Sequence, residues 1–111
     1  MDSEKFTVVI LPEAEADIDE ILGYIANGLC NPAAARTLWR DMIEAIERAA
    51  RFPYAMPVLK NEIIGNGNEY RRLDVDNHVP VYKIVGEVKE IRIMAVLYAP
   101  SNVAARLLGR I

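Results

Sequence analysis

The first half of the chain shows the hydrophobic spacing of helices. A short β-branched run over residues 6–11 predicts a buried strand. Apolar side chains then recur every three or four residues over 13–27 and again over 32–52. Because Asn27-Gly28 suits a helix end and Asn31-Pro32 a helix start, the two segments predict an antiparallel helical hairpin.

After a predicted loop over residues 53–69 the period changes to two. This alternation predicts three strands and two turns. The strands cover residues 70–75, 79–85 and 90–98, and the turns are Asp76-Asn77-His78 and Gly86-Glu87.

The last predicted strand carries apolar side chains on both faces. Strict alternation places Leu97 on the same face as Ile91 and Ile93, and Val96 on the other, which is typical of an interior strand. Pro80 has no N–H, so we expect it beside a sheet edge or a bulge.

The predicted order is β-α-α-β-β-β followed by a C-terminal helix, which the spacing of Val103, Leu107 and Leu108 indicates. A helical hairpin packed on one face of a small, mostly antiparallel sheet is an α+β arrangement. The 111 residues show no repeat or linker, so we expect a single domain over residues 1–111.

Composition indicates a protein of the reducing cytosol. The single cysteine, Cys30, cannot form an internal disulfide, and the chain shows neither a secretory signal nor an apolar run of about 20 residues. We therefore predict a cytoplasmic location and no membrane contact.

The formal charge of -3 is the sum over two unlike halves of the chain. Residues 1–53 hold ten acids and five bases, whereas residues 54–111 hold six acids and eight bases and are slightly basic. Any nucleic-acid contact is thus confined to the sheet side.

Several residues of types that often serve in functional sites have ordinary structural explanations here. Five acidic side chains are scattered around the first helix, where they complement its dipole rather than converge on a metal, and we predict no metal site and no cofactor. They are Glu13, Glu15, Asp17, Asp19 and Glu20. The only histidine, His78, lies in a predicted turn and is expected to be exposed. Trp39 lies in the apolar stripe of the second helix and is expected in the core.

Arg71 has two interpretations. It shares a strand face with Leu73 and Val75, where a charge needs a partner, a ligand or water. It is either a paired structural arginine or a contact for an anion or a partner protein.

Motifs along the chain occur in a characteristic order. They are Leu11-Pro12-Glu13-Ala14-Glu15-Ala16-Asp17-Ile18, Tyr24-Ile25, Asn31-Pro32-Ala33-Ala34-Ala35, Phe52-Pro53-Tyr54, Tyr70-Arg71-Arg72-Leu73, Val81-Tyr82-Lys83-Ile84, and Ile91-Arg92-Ile93 leading to Val96-Leu97-Tyr98. This ordered set resembles the RelE/ParE superfamily of toxins from bacterial type II toxin-antitoxin systems, most strongly over residues 6–98.

The resemblance implies a cognate antitoxin and one of two activities. ParE-like members bind and poison DNA gyrase, whereas RelE-like members are metal-independent endoribonucleases that cut mRNA on the ribosome. Carried over by motif, Arg71, Tyr82, Lys83 and Arg92 are the predicted target-binding residues. For the nuclease alternative, Arg71, Lys83 and Tyr98 are the predicted catalytic residues.

Our leading hypothesis is a ParE-like toxin that binds a protein target. The pI of about 5.1 disfavours a ribosome-bound nuclease, and Ala95 and Ala99-Pro100-Ser101 stand where the family commonly carries arginines. A RelE-like endoribonuclease is the alternative, and a toxin-fold binding module without toxicity is a third hypothesis. An uncovered strand edge would allow a homodimer, beside the toxin-antitoxin hetero-oligomer that the resemblance implies.

Overall fold

A computed structural model of the chain describes residues 5–59, 69–99 and 106–107. The regular elements of this part are β1 (Thr7–Ile10), α1 (Pro12–Gly23), α2 (Pro32–Arg51), β2 (Tyr70–Arg72), β3 (His78–Val85) and β4 (Glu90–Tyr98). The predicted α+β order is confirmed. Most of the predicted C-terminal helix lies outside the described residues, although Arg106 and Leu107 are helical.

The four strands form one mixed sheet in the order β1-β4-β3-β2. β1 runs parallel to β4, and the other two pairs are antiparallel. The sheet is therefore mostly antiparallel and β4 is an interior strand, as predicted. Val58 forms an isolated bridge to Arg71 on the outer side of β2, so part of that edge is covered.

β2 is shorter than predicted, because the ladder cannot continue past Pro80. The Leu73 N–H donates to the Pro80 carbonyl at 2.9 Å, but Pro80 has no N–H to return. Pro80 thus lies where its neighbouring strand ends. The chain then reverses in a tight turn in which Val75 and His78 exchange two backbone hydrogen bonds of 2.9 Å, with Asp76 at φ 56°.

The helices follow their sequence signals closely. α1 passes directly into a π-helical turn at Tyr24–Gly28, so the helical segment ends one residue past the predicted Asn27. The Asn31 side chain accepts a 3.1 Å hydrogen bond from the Ala34 N–H and caps α2. Among the described residues, neither helix has the length and apolarity that a bilayer crossing requires.

Buried side chains cover both faces of the sheet. The helix-side core joins the apolar stripes of α1 and α2 to one sheet face, and its sheet members are Leu73, Val75, Tyr82, Ile91, Ile93 and Val96. The open-side core covers part of the other face and comprises Leu59, Tyr70, Val79, Val81, Ala95, Leu97 and Leu107. Trp39 belongs to neither core and is 37% exposed, so its predicted core position was wrong.

β4 contains one extra residue, Met94. Tyr82 pairs with Ile93 and Val81 with Ala95, so Met94 has no partner in β3 and forms a bulge. Beyond the bulge Val96 lies on the helix side and Leu97 on the open side. The prediction that Leu97 shares a face with Ile91 and Ile93 was wrong, because the bulge shifts the alternation by one residue.

Candidate functional site

Lys83 and Arg92 lie side by side on the open face of the sheet. They are direct cross-strand partners in β3 and β4, and each alternates with residues of the helix-side core. Arg72 in β2 shares this face, since it is paired with Val81. We refer to Arg72, Lys83 and Arg92 as the basic strip.

Two of the three cations of the basic strip each pair with a carboxylate two residues away along the chain. Arg92 Nε donates to Glu90 at 3.0 Å, and an Arg72 terminal nitrogen donates to Asp74 at 2.8 Å. Lys83 has no ion-pair or hydrogen-bond partner within residues 5–59, 69–99 and 106–107. The strip therefore offers one ammonium without a partner in the described residues, between two partly exposed ion pairs, a surface suited to an acidic partner.

Arg71 lies on the opposite face and is anchored by main-chain carbonyls. Its Nη1 donates to Met56 O at 2.7 Å and to Tyr54 O at 3.2 Å, and its Nη2 donates to Glu69 at 3.3 Å. The guanidinium carbon also lies 5.7 Å from the centroid of the Tyr54 ring. These contacts match the first interpretation of Arg71, a paired structural arginine that fixes the segment after α2.

Tyr82 is fully buried beside Arg71. The two residues are cross-strand partners, and the Tyr82 hydroxyl donates to the Pro53 carbonyl at 2.6 Å. Burial raises the pKa of Tyr82 to about 12, although the nearby Arg71 charge acts in the opposite direction. Together Tyr82 and Arg71 hold the turn at Pro53–Ala55, which carries the exposed ring of Tyr54 and follows the exposed ring of Phe52.

Tyr98 lies at the end of β4, in a groove on the helix side of the sheet. This end groove, of about 670 Å³, runs between α1 with its π-helical turn and the ends of β3 and β4. Its apolar lining includes Ile21, Tyr24, Ile25, Leu29, Val96 and Tyr98, and its charged residues are Asp17, Glu20, Asp76 and Arg106.

His78 is half-buried in the end groove rather than exposed as predicted. Its ring lies 6.0 Å from that of Tyr98, and its Nδ1 is buried with no hydrogen-bond partner in the described part of the chain. Desolvation lowers the pKa of His78, opposed by the nearby Asp76 charge. His78 is the first residue of β3 rather than part of the predicted turn, and the exposure of a side chain beside a turn depends on what packs against it.

The acidic residues of α1 are spread around the helix, and one of them has a specific structural role. The Val96 N–H donates to Asp17 at 2.9 Å, so this carboxylate satisfies a backbone group of β4 just beyond the bulge. Across the described ranges, no three His, Cys, Asp or Glu side chains converge in a way that could hold a metal ion.

The predicted site residues thus occupy three separate places. Lys83 and Arg92 lie together on the open face, Arg71 and Tyr82 lie together on the helix side, and Tyr98 lies in the end groove. Their roles toward a target stay predictions. Sequence reasoning missed the end groove, although Tyr24 gave a signal, because it is an aromatic residue outside the apolar stripe of α1.

The fold is that of toxins from toxin-antitoxin complexes. One similar structure is the chromosomal ParDE toxin-antitoxin system from P. aeruginosa, with a TM-score of 0.66 and 18% identity over 86% of this chain and 98% of that chain. Another is the RelBE2 toxin-antitoxin complex from Mycobacterium tuberculosis, with a TM-score of 0.53 and 18% identity over 85% and 98% of the two chains. At this identity the similarity establishes the architecture alone.

Residues 8–101 match the family described as the ParE toxin of the type II toxin-antitoxin system, parDE. Since this match spans most of the 111 residues, the chain belongs to the ParE toxin family. A comparison with curated proteins finds no match.

Proposed function

We propose that the chain arrests growth by binding a protein target, DNA gyrase, through the basic strip, and that a cognate antitoxin neutralises it. Its family membership supports the toxin role and the antitoxin partner. Both interactions would take place in the cytoplasm.

The separation of the predicted nuclease residues supports binding over RNA cleavage. Cleavage without a metal requires a proton acceptor, a proton donor and a cation around one phosphate. Lys83 lies on the open face, while Arg71 and Tyr98 lie on the helix side. The β3 partners of Arg71 and Tyr98 are Tyr82 and His78, about 13 Å apart along the strand. One phosphate cannot contact all three side chains.

The basic strip supplies the contact surface for an acidic region of the target. Lys83 is unpaired within the described residues, and the side chains of Arg92 and Arg72 are 41% and 31% exposed. An incoming carboxylate would replace Glu90 or Asp74 at a modest cost, since both ion pairs keep access to solvent and such pairs contribute modest free energy. The strip therefore favours fast, salt-dependent association.

Induced expression of the chain alone tests the toxin role, and a matched pair of variants tests the surface. Wild type should arrest growth, with broken DNA and continuing translation. Purified chain should inhibit supercoiling by gyrase, and the double variant Lys83→Ala with Arg92→Ala should inhibit at least about tenfold less. Arg40→Ala is the control, because it removes a cation from the outer face of α2, where Arg40 is 66% exposed.

Each other outcome identifies a different function. Cleaved messages with intact DNA would establish the endoribonuclease alternative. Normal growth at confirmed soluble expression would leave a toxin-fold binding module. Equal gyrase inhibition by the double variant and by Arg40→Ala would remove the basic strip from the target surface.

A further inference from the structure

Three large apolar side chains are exposed near the end of the sheet where β3 turns into β4. Phe52, Tyr54 and Val88 are 61%, 61% and 56% exposed, and we refer to them as the apolar corner. Single exposed apolar residues are ordinary on a protein surface, whereas a cluster of them is typical of an interaction site.

Contacts of the Tyr54 side chain bring the apolar corner together. Its ring packs edge-on against the ring of Phe6, with the two centroids 6.4 Å apart. A Cβ atom at Gly86 would lie 3.2 Å from the Tyr54 hydroxyl oxygen, so this side chain reaches the backbone of the turn between β3 and β4. The same turn contains Val88, and Phe52 directly precedes the turn that carries Tyr54.

Arg71 holds Tyr54 in place. Its Nη1 donates to Tyr54 O at 3.2 Å and to Met56 O at 2.7 Å, and its guanidinium carbon lies 5.7 Å from the centroid of the Tyr54 ring. The Arg71 side chain is itself only 12% exposed, so its effect on a partner passes through Tyr54. An exposed ring that is already fixed loses little freedom on binding, which suits it to anchor a partner.

Positive charge predominates around the apolar corner. Within five residues of it along the chain lie five cations and three carboxylates. They are Arg48, Arg51, Lys83, Lys89 and Arg92, and Glu47, Glu87 and Glu90. Two further cations reach this region through space, and each has a carboxylate partner, since Lys5 pairs with Glu47 at 2.9 Å and Arg71 with Glu69 at 3.3 Å. The excess has the same sign as that of the basic strip and favours an acidic partner.

The apolar corner adjoins the basic strip. The cross-strand pair of Lys83 and Arg92 lies two pairs from the end of the β3–β4 ladder at Val85 and Glu90, about 7 Å along the strands. Gly86, against which the apolar corner packs, follows Val85 directly. Since a standard protein interface covers about 800 Å² on each partner, one partner can contact both surfaces.

We infer that the apolar corner is the anchor of the toxin on its target, seated in an apolar pocket of an acidic region of the target protein. The inference rests on the proposed function, which supplies gyrase as the target and the basic strip as the charged part of the surface. It adds an apolar part to that surface, and it makes Arg71 a positioning residue for Tyr54 instead of a direct contact.

Two other partners fit the apolar corner less well. In a symmetric contact, a second copy of the chain would present the same excess of positive charge, which opposes association. A row of phosphates would meet the carboxylates of Glu87 and Glu69, whereas exposed aromatic rings among charges of both signs are typical of protein interfaces.

Binding kinetics on immobilised gyrase test the inference. Tyr54→Ala should raise the dissociation rate at least about tenfold, and the effect should persist at high salt, because the lost contact is apolar. The double variant Lys83→Ala with Arg92→Ala should instead lower the association rate, and that deficit should shrink as salt is raised.

Tyr24→Ala is the matched control for Tyr54→Ala. It removes the same type of side chain at nearly the same exposure, 62%, from the end groove. The end groove lies at the opposite end of β3, about 25 Å along the strand from Gly86. This variant should dissociate from gyrase like wild type, and circular dichroism confirms that each variant is folded.

A double-mutant cycle tests the positioning role of Arg71. Arg71→Met removes the cation but keeps an unbranched side chain, and it should raise the dissociation rate from gyrase. Added to Tyr54→Ala, it should raise that rate by less than about twofold, because both changes remove the same anchor. An arginine that only stabilises the fold would lower the urea midpoint and leave the dissociation rate of the folded chain unchanged, which would overturn the positioning role.

The outcomes separate this inference from the proposed function. Equal dissociation of Tyr54→Ala and Tyr24→Ala from gyrase would overturn the inference and leave the proposed function intact, whereas growth arrest by a wild-type chain that does not bind gyrase would overturn both. Loss of RNA binding by Tyr54→Ala with unchanged gyrase binding would assign the apolar corner to a nucleic acid. A wild-type dimer in light scattering that Tyr54→Ala converts to a monomer would assign it to a second copy. Either result would overturn the inference.

Discussion

Replacing Tyr82 by phenylalanine separates a structural role from the target-binding role that the family resemblance predicts. The residue is 0% exposed, and its hydroxyl donates to the Pro53 carbonyl at 2.6 Å. Phenylalanine keeps the ring and its packing but leaves this buried carbonyl without its donor. We expect a folded variant of lower stability whose growth-arresting activity per folded molecule is unchanged.

The expected loss is about 1–2 kcal/mol. Leaving a buried acceptor unpaired costs about 1–3 kcal/mol, and Pro53 lies next to the exposed side chains of Phe52 and Tyr54, where water can enter after a small displacement. Urea unfolding at pH 7 measures the loss as a lower midpoint with an unchanged m-value. Tyr24→Phe is the control, since it removes a hydroxyl from a residue that is 62% exposed and should change stability by less than about 0.5 kcal/mol.

A pH series measures the contribution of the same hydroxyl independently. The pKa of Tyr82 is raised to about 12, against about 10 in the unfolded chain. Between these values the folded chain keeps a proton that the unfolded chain loses. The contribution of Tyr82 is therefore complete below pH 10 and is lost as pH rises through 12. The stability difference between wild type and Tyr82→Phe should accordingly narrow as pH rises from about 10 to about 12.

Two results would refute this reasoning. Equal urea midpoints for wild type and Tyr82→Phe at pH 7 would show that the hydroxyl makes no net contribution to the fold. A variant of wild-type stability that no longer arrests growth would instead place the hydroxyl in contact with the target.

Three further substitutions test other contacts. Asp17→Ala should cost about 1–3 kcal/mol in urea unfolding, because the buried Val96 N–H loses its 2.9 Å acceptor, whereas Asp19→Ala at an exposed position of α1 should cost less than about 0.5 kcal/mol. Asn31→Ala should cost about 1 kcal/mol in thermal unfolding, since it removes the cap of α2. Burial lowers the pKa of His78, so the unfolded chain takes up a proton first, and wild type should lose stability relative to His78→Gln as pH falls below about 6.5. Parallel pH profiles of these two chains between pH 7 and pH 5 would contradict the last expectation.

The helices were predictable because their signals are local. The Asn31-Pro32 start of α2 and its buried stripe through Leu38, Met42 and Ile46 follow directly from the residue spacing. Trp39 shows the limit of that spacing. Trp39 flanks the stripe. The width of a buried stripe depends on how far the element packed against it extends, and the spacing of apolar residues gives no information about that extent.

The sheet was predictable in its strands but not in all of its faces. The bounds of β4 agree with the prediction, yet the bulge at Met94 reverses the side on which Leu97 lies. A bulge adds a residue without interrupting the apolar run, so alternation alone gives no sign of it.

The strand faces of the predicted site residues in β2 followed from the sequence, but the arrangement of all the predicted site residues did not. The shared face of Arg71, Leu73 and Val75 followed from alternation. The partners of Arg71 did not, because Tyr54 O and Met56 O belong to a segment 17 and 15 residues earlier in the chain. The pairing of Lys83 with Arg92 likewise depends on strand register, which only the folded sheet defines.

The extra residue in β4 divides one continuous strand between two different surfaces. Before Met94 the alternation presents Arg92 to the open face, and after it the alternation presents Val96 and Tyr98 to the end groove. Removing Met94 would transfer Tyr98 to the other side of the sheet while leaving every groove-lining side chain in the sequence. The surface that this fold presents therefore depends on chain length at one position as well as on residue identity. Two family members with identical lining residues would present different surfaces if they differed by a single residue before Val96.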